Sequence, residues 1–204
     1  MKKIGQKILD DAEIYVMKTA KSSPLDWFFE LHQKEIMISA NKLLKEYPDA
    51  DKNIVLLSCW LHDLGHFKAK TLDQVDVVKP DHHLVGAKMA KKFLSKYKLP
   101  KDQVDKIINC ILCHRGSEPY IPKTLEEKIV AVADTLSHFQ SIFYLLFFKI
   151  YPKYSLDEFV VLQKAKLKRD WRDLSLLPKA QEMVENKYDF FLQMLDDYQK
   201  GTVD

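Results

Sequence analysis

Histidine and aspartate recur along this chain in an order that suits a divalent metal. His32 comes first, then the adjacent pair His62 and Asp63, then His82 and His83, then His114, and finally Asp134. His32, His62, His114 and Asp134 each sit among apolar residues in stretches with helical spacing, and a buried imidazole or carboxylate needs a partner. Taken singly, each has an ordinary account: His32 on the outer face of an amphipathic helix, Asp134 paired with a lysine. Taken together, neutral imidazoles and carboxylates suit a first-row divalent ion, and helical bundles build such sites from residues projecting inward from facing helices. A shared ion would settle all of these desolvation costs at once.

One stretch competes for His114. Residues 110–114 read CILCH, a match to C-x-x-C-H, in which two thioethers hold a c-type haem and the histidine is an axial ligand. Such attachment belongs to an exported compartment. In MKKIGQKILDDAEIYVMKTA, Asp10, Asp11 and Glu13 break any apolar run, so no export signal is expected and the haem reading is set aside. Cys59, Cys110 and Cys113 are read as buried, reduced thiols in a reducing, cytoplasmic compartment. Cys110 and Cys113 lack the second C-x-x-C of a zinc site.

The elements that must position these residues are helices. The chain has 204 residues, 47% hydrophobic and 30% charged, with only 5 Gly and 8 Pro, so one globular all-α domain over 1–204 is expected. A net charge of +3 is too small to make duplex nucleic acid an obligate partner and suits a small anionic substrate. The periodicity predicts helices over Ile4–Ala20, from Ser23 and Pro24 to Tyr47, and over Asp51–Leu64, the last apolar on most sides and closed by Gly65 as a C-cap. A loop over Phe67–Pro80 precedes helices over Asp81–Tyr97 and Lys101–Arg115. Thr124 with Glu127 and Ser155 with Glu158 form capping-box patterns. The first opens a helix reaching Ile150, read as buried rather than membrane-spanning because Asp134, His138, Gln140 and Lys149 interrupt it. A last helix runs from Pro178 to Gln199, and a boundary near Tyr151 separates a core from a C-terminal helical layer.

LHDLGH, Leu61 to His66, resembles the signature doublet of the HD-domain superfamily of metal-dependent phosphohydrolases, and the resemblance covers about residues 25–140. It implies an HD-domain helical bundle with additional C-terminal helices over about 141–204. It also implies a four-ligand site of His32, His62, Asp63 and Asp134, the last in VAVADTLSHF. Members with two further histidines hold two metals. Here DHHLVGAKMA offers His82 in preference to His83, and CILCHRG offers His114, so two ions bridged by Asp63 are favoured over one. Iron, manganese or another first-row metal would fit.

Hydrolysis of a phosphate ester or anhydride, with a nucleotide as substrate and a metal-activated water as nucleophile, is the reaction expected of such a site. Asp63 and His66 are the candidate catalytic residues. His66 lies four residues beyond His62, and His138 four beyond Asp134, so a helix would put each pair on one face. Arg115, His83, Lys68 and His138 are candidate substrate contacts, with Lys70 beside Lys68. KAKLKRDWRD, Lys164 to Asp173, reads as a solvated face, or as a helix whose Lys166 or Arg169 reaches a distal phosphate. Trp171 and FYLLFF either pack in the core or stack a base, and FYLLFF is also a candidate homo-oligomer interface. Two rival readings use the same ligands: a di-iron oxygenase of this fold, and a non-catalytic metal or nucleotide sensor.

Overall fold

A computed structural model describes residues 4–71, 74, 81–146 and 154–201. Among them are α1 (Gln6–Ala20), α2 (Asp26–Phe28), a π-helical turn (Phe29–Gln33), α3 (Lys34–Glu46), α4 (Lys52–Leu61) and a 3₁₀ turn (His66–Lys68). Then come α5 (His82–Leu94), α6 (Lys101–Cys113), α7 (Leu125–Gln140), α8 (Phe143–Leu146), α9 (Leu156–Leu174), α10 (Pro178–Glu182) and α11 (Glu185–Lys200). The described residues form no strand, only an isolated bridge between Ser117 and Tyr120. None of their helices is long and apolar enough to cross a membrane.

The run IVLLSCWL makes α4 the centre of the bundle. Every residue from Ile54 to Leu61 is buried, and α1, α3, α6 and α7 pack around it. Asp51 starts the helix, its carboxylate accepting from the N–H groups of Asn53 and Ile54. α3 lies along α7, and α9 covers α7 from the C-terminal side while packing on α10 and α11.

Several boundaries differ from the sequence expectation. The second helix begins at Asp26 because Ser23 Oγ accepts from Leu25 N–H instead of capping a helix that starts at Pro24. The helix opened by the Thr124/Glu127 capping box stops at Gln140, short of Ile150. Ser141 is extended there, and its Oγ accepts from Phe143 N–H, a local bond that competes with helix continuation. The chain then turns and lays Phe143 on His138, ring centroids 4.0 Å apart. The C-terminal helix is split at Met183 and Val184, Val184 being buried. Most of the expected loop over 67–80, and Phe147 to Ile150, lie outside the described residues.

Gly65 is not the left-handed C-cap expected of it: its φ is −63°. Its value is spatial. A Cβ there would lie 2.0 Å from the carbonyl oxygen of His82, and one on Gly86 would lie 3.0 Å from that of His62. These two glycines let α5 press against the turn that follows α4, bringing His82 close to the His62–Asp63 pair.

Candidate metal centre

Each functional side chain reaches the centre from a different element. His32 stands in the π turn, whose wider winding leaves Phe28, Phe29, His32 and Gln33 all buried. His62 and Asp63 occupy the turn after α4, His82 the first turn of α5, His114 the C-terminal end of α6, and Asp134 the middle of α7.

The donors converge on the two oxygens of Asp63. Its Oδ2 is 3.4 Å from His32 Nε2 and 3.2 Å from His62 Nε2. Its Oδ1 faces the other way, 3.4 Å from His82 Nε2, 3.6 Å from His114 Nε2 and 3.7 Å from His66 Nε2. Asp134 Oδ1 completes the first side, 3.1 Å from His32 Nε2 and 3.7 Å from His62 Nε2. Two donor groups result: His32, His62 and Asp134 on one side, and Asp63, His66 and His82 on the other. His82 and His114 meet at 3.0 Å between their Nε2 atoms.

The backbone fixes the tautomers. His62 Nδ1 lies 2.8 Å from Cys59 O and His114 Nδ1 2.6 Å from Ile111 O. A carbonyl only accepts, so both protons sit on Nδ1. His32 Nδ1 lies 3.0 Å from Ser137 Oγ, whose own proton goes to Asp134 O at 2.6 Å, so this hydroxyl accepts as well. In their neutral forms these three imidazoles therefore aim Nε2 lone pairs at carboxylate oxygens, acceptor toward acceptor. A divalent cation fits this donor set, since orienting an imidazole through its other nitrogen is how proteins prepare histidine for a metal.

The carboxylates draw positive charge into this space, and a proton on Nε2 meets that demand as a cation does. Burial opposes charge on His62, yet Asp63 and Asp134 outweigh it and push the imidazole up to about 10; His32 is raised for the same reasons. Burial also works against ionising Asp63 and Asp134, but the facing imidazoles hold both well below the usual carboxylate range. His114 goes down to about 4 through burial and the charge of His62.

Asp63, His66, His82, His114 and Asp134 line a cavity of about 310 Å³ together with Arg115, His138, Lys166 and Arg169, while His32 and His62 stand behind them. His83 and Lys68 are not among its lining residues: His83 packs edge-on to Tyr120 and Lys68 is exposed. Lys70 instead donates to Ser22 Oγ. Trp171 stacks on Tyr188 between α9 and α11, away from the cavity. Cys110 and Cys113 are buried free thiols, pushed up to about 12 and about 11 chiefly by burial, and do not line the cavity.

Sequence reasoning missed a second cluster. Asp170 is buried, and its Oδ2 accepts from His138 Nδ1 at 3.0 Å, Tyr144 Oη at 2.8 Å and Lys166 Nζ at 2.7 Å. The signal was the i, i+4 spacing of Lys166 and Asp170 inside a run that otherwise looks solvated. Phe28, His32, His138 and Phe143 form a compact group of rings, stacked in the pairs Phe28–His32, His32–His138 and His138–Phe143 with Phe28 tilted on Phe143 at 6.2 Å, and it ties this cluster to the candidate metal donors.

Comparison with known proteins places this geometry. A segment of tRNA (cytidine(56)-2'-O)-methyltransferase from Picrophilus torridus is 30% identical over 100 residues, 42% of this chain and 25% of that protein. The chain therefore spans about a quarter of that relative's length. No solved structure matches. The family described as HD domain matches residues 31–138, from the residue before His32 through His138, and more than half of the sequence lies inside that match. The chain belongs to the HD-domain family.

Proposed function

We propose that this protein is a metal-dependent phosphohydrolase that cleaves a phosphate ester or anhydride of a nucleotide. The observation that supports it best is the convergence of five imidazoles on the two oxygens of Asp63, with Asp134 beside two of them and Nδ1 of His62 and His114 held by backbone carbonyls so that Nε2 faces the carboxylate.

His32, His62, Asp63 and Asp134 would hold one divalent ion, and Asp63, His82 and His114 a second, with His66 at its edge. Bound there, such ions supply Lewis acidity and a water of lowered pKa. The protein's own part is positional. Asp63 sets the spacing of the two donor groups, and Phe28 and Phe143, packed on His32 and His138, give the centre an apolar side. His66 lines the cavity, stacks on His82 at 3.9 Å between centroids and turns its Nε2 toward Asp63 Oδ1 at 3.7 Å. There it can exchange a proton with a leaving oxygen. Arg115, at the cavity edge beyond His114, offers a planar fork to phosphate oxygens.

Elemental analysis of protein purified without chelator or affinity metal, paired with a phosphate-release assay, tests this reading. The expected result is two ions per chain, one in His114→Ala, and release supported by redox-inert metals. Absence of bound metal in both proteins, or turnover only with iron and dioxygen, would overturn it.

A further inference from the structure

The cavity has a wall that the family-matched segment does not supply. Residues 31–138 carry the HD-domain match, and α9 lies wholly beyond it. Leu162, Ala165, Lys166, Arg169, Asp170 and Asp173 of α9 all line the cavity, and their spacing places them on one continuous helical face. The charged members are two cations and two carboxylates, already set against one another. Lys166 Nζ is 2.7 Å from Asp170 Oδ2, and Arg169 Nη2 is 3.7 Å from Asp170 Oδ1.

Lys166 and Arg169 are both turned on Asp170, and Asp173 on Arg172, so these cations already have carboxylate partners where a second or third phosphoryl group would need them for itself. The wall does carry carboxylate oxygens at fixed positions, which accept from hydroxyls. Asp173 is the best placed of these: its side chain is 18% exposed, and Arg172, outside the lining, engages its Oδ1 at 3.0 Å. Leu25, Phe28 and Phe143 give the cavity an apolar side. Its volume of about 310 Å³ lies at the small end of ligand pockets, roughly 300–1,000 Å³, which suits one mononucleotide-sized molecule.

We propose that α9 is the specificity wall of this site and that the substrate is a sugar-bearing molecule with a single phosphate. The phosphate meets the His/Asp centre, and the sugar hydroxyls meet Asp173. Lys166 and Arg169, which the sequence left either on a solvated face or reaching a distal phosphate, instead neutralise and orient Asp170. This deepens the phosphohydrolase reading and rests on it for where the phosphate sits.

The test titrates the metal-loaded full chain calorimetrically with AMP, ribose 5-phosphate and ATP, and assays phosphate release from these and from p-nitrophenyl phosphate. AMP or ribose 5-phosphate is expected to bind about tenfold more tightly than ATP, and Asp173→Asn to weaken that binding about tenfold with bound metal retained. Tighter binding of AMP than of ribose 5-phosphate assigns a nucleoside monophosphate, and equal binding assigns the sugar phosphate as the recognised unit. ATP binding as tight as AMP, or an unchanged Kd in folded, metal-bearing Asp173→Asn, overturns the inference. AMP binding without phosphate release from any compound supports the ligand class and sinks the hydrolase reading. Release from p-nitrophenyl phosphate and ATP with weak AMP binding does the reverse.

Discussion

Two clusters of histidine and aspartate sit one helical turn apart on α7, and they neutralise their carboxylates in opposite ways. Asp63 and Asp134 face the Nε2 atoms of imidazoles whose Nδ1 is turned to the chain, so their charge is met by a cation between them or by protons taken up at Nε2. Asp170 faces an ammonium, a hydroxyl and an imidazole N–H, all from the chain itself. The consequence shows in the histidines. Burial would lower His62, but Asp63 and Asp134 send it up to about 10, whereas burial and the charge of Lys166 send His138 down to about 4 in spite of Asp170. Among the described residues Lys166 gives Asp170 a cation of the chain itself, whereas Asp63 and Asp134 are balanced through their imidazoles.

Removing the cation should separate the two clusters most sharply. With an ion present at a thousand times its Kd, chelation is expected to cost about 4 kcal/mol of stability, read as a fall in Tm. Asp170→Asn should show the same chelation effect; if that effect vanished, the clusters would be one cooperative unit. By itself Asp170→Asn leaves Lys166 facing a neutral amide in a buried site, and denaturant unfolding is expected to show a loss of about 3 kcal/mol. Bound metal measured on the folded variant should be unchanged. Metal loss equal to that of Asp134→Ala would make Asp170 part of the centre.

The same contrast explains what was legible in the sequence. The candidate donors were picked out because His114 and Asp134 stand in largely apolar helical runs, and the doublet at His62 and Asp63 has a recognisable neighbourhood. α4 and both capping boxes were equally plain, being set by local pattern. Asp170 was hidden because it sits in a run of charges, where burial depends on how α9 docks against α7 and not on its neighbours in sequence. The stop at Gln140 was hidden for a related reason: one hydroxyl, on Ser141, outweighs the helical periodicity that continues past it. Gly65 was read through its usual role at helix ends, while its actual constraint is the His82 backbone, far away in sequence.

That constraint yields a smaller effect confined to one side of the centre. In Gly65→Ala the new methyl would lie 2.0 Å from His82 O, so α5 must shift. A cost of about 2 kcal/mol is expected from this overpacking, with weaker metal retention on the Asp63, His66 and His82 side. Gly86→Ala, whose Cβ would lie 3.0 Å from His62 O, should cost less. Equal metal retention in Gly65→Ala and the parent would show that the close approach of α5 is not needed to bring His82 to Asp63.

The smallest expected effect lies in the self-neutralised cluster. Tyr144→Phe deletes one of the three donors to Asp170 Oδ2 and keeps the ring that packs on Phe139 and Phe191. A hydrogen bond to a charged acceptor is worth about 1.5 kcal/mol, and Lys166 and His138 remain to hold the carboxylate, so the loss should not exceed that. Urea unfolding of Tyr144→Phe, alone and combined with Asp170→Asn, measures it. If Tyr144 acts only through Asp170, the double variant loses no more than Asp170→Asn by itself. Additive losses would mean that the hydroxyl stabilises the fold through some other contact, and that Asp170 is satisfied by Lys166 and His138 alone.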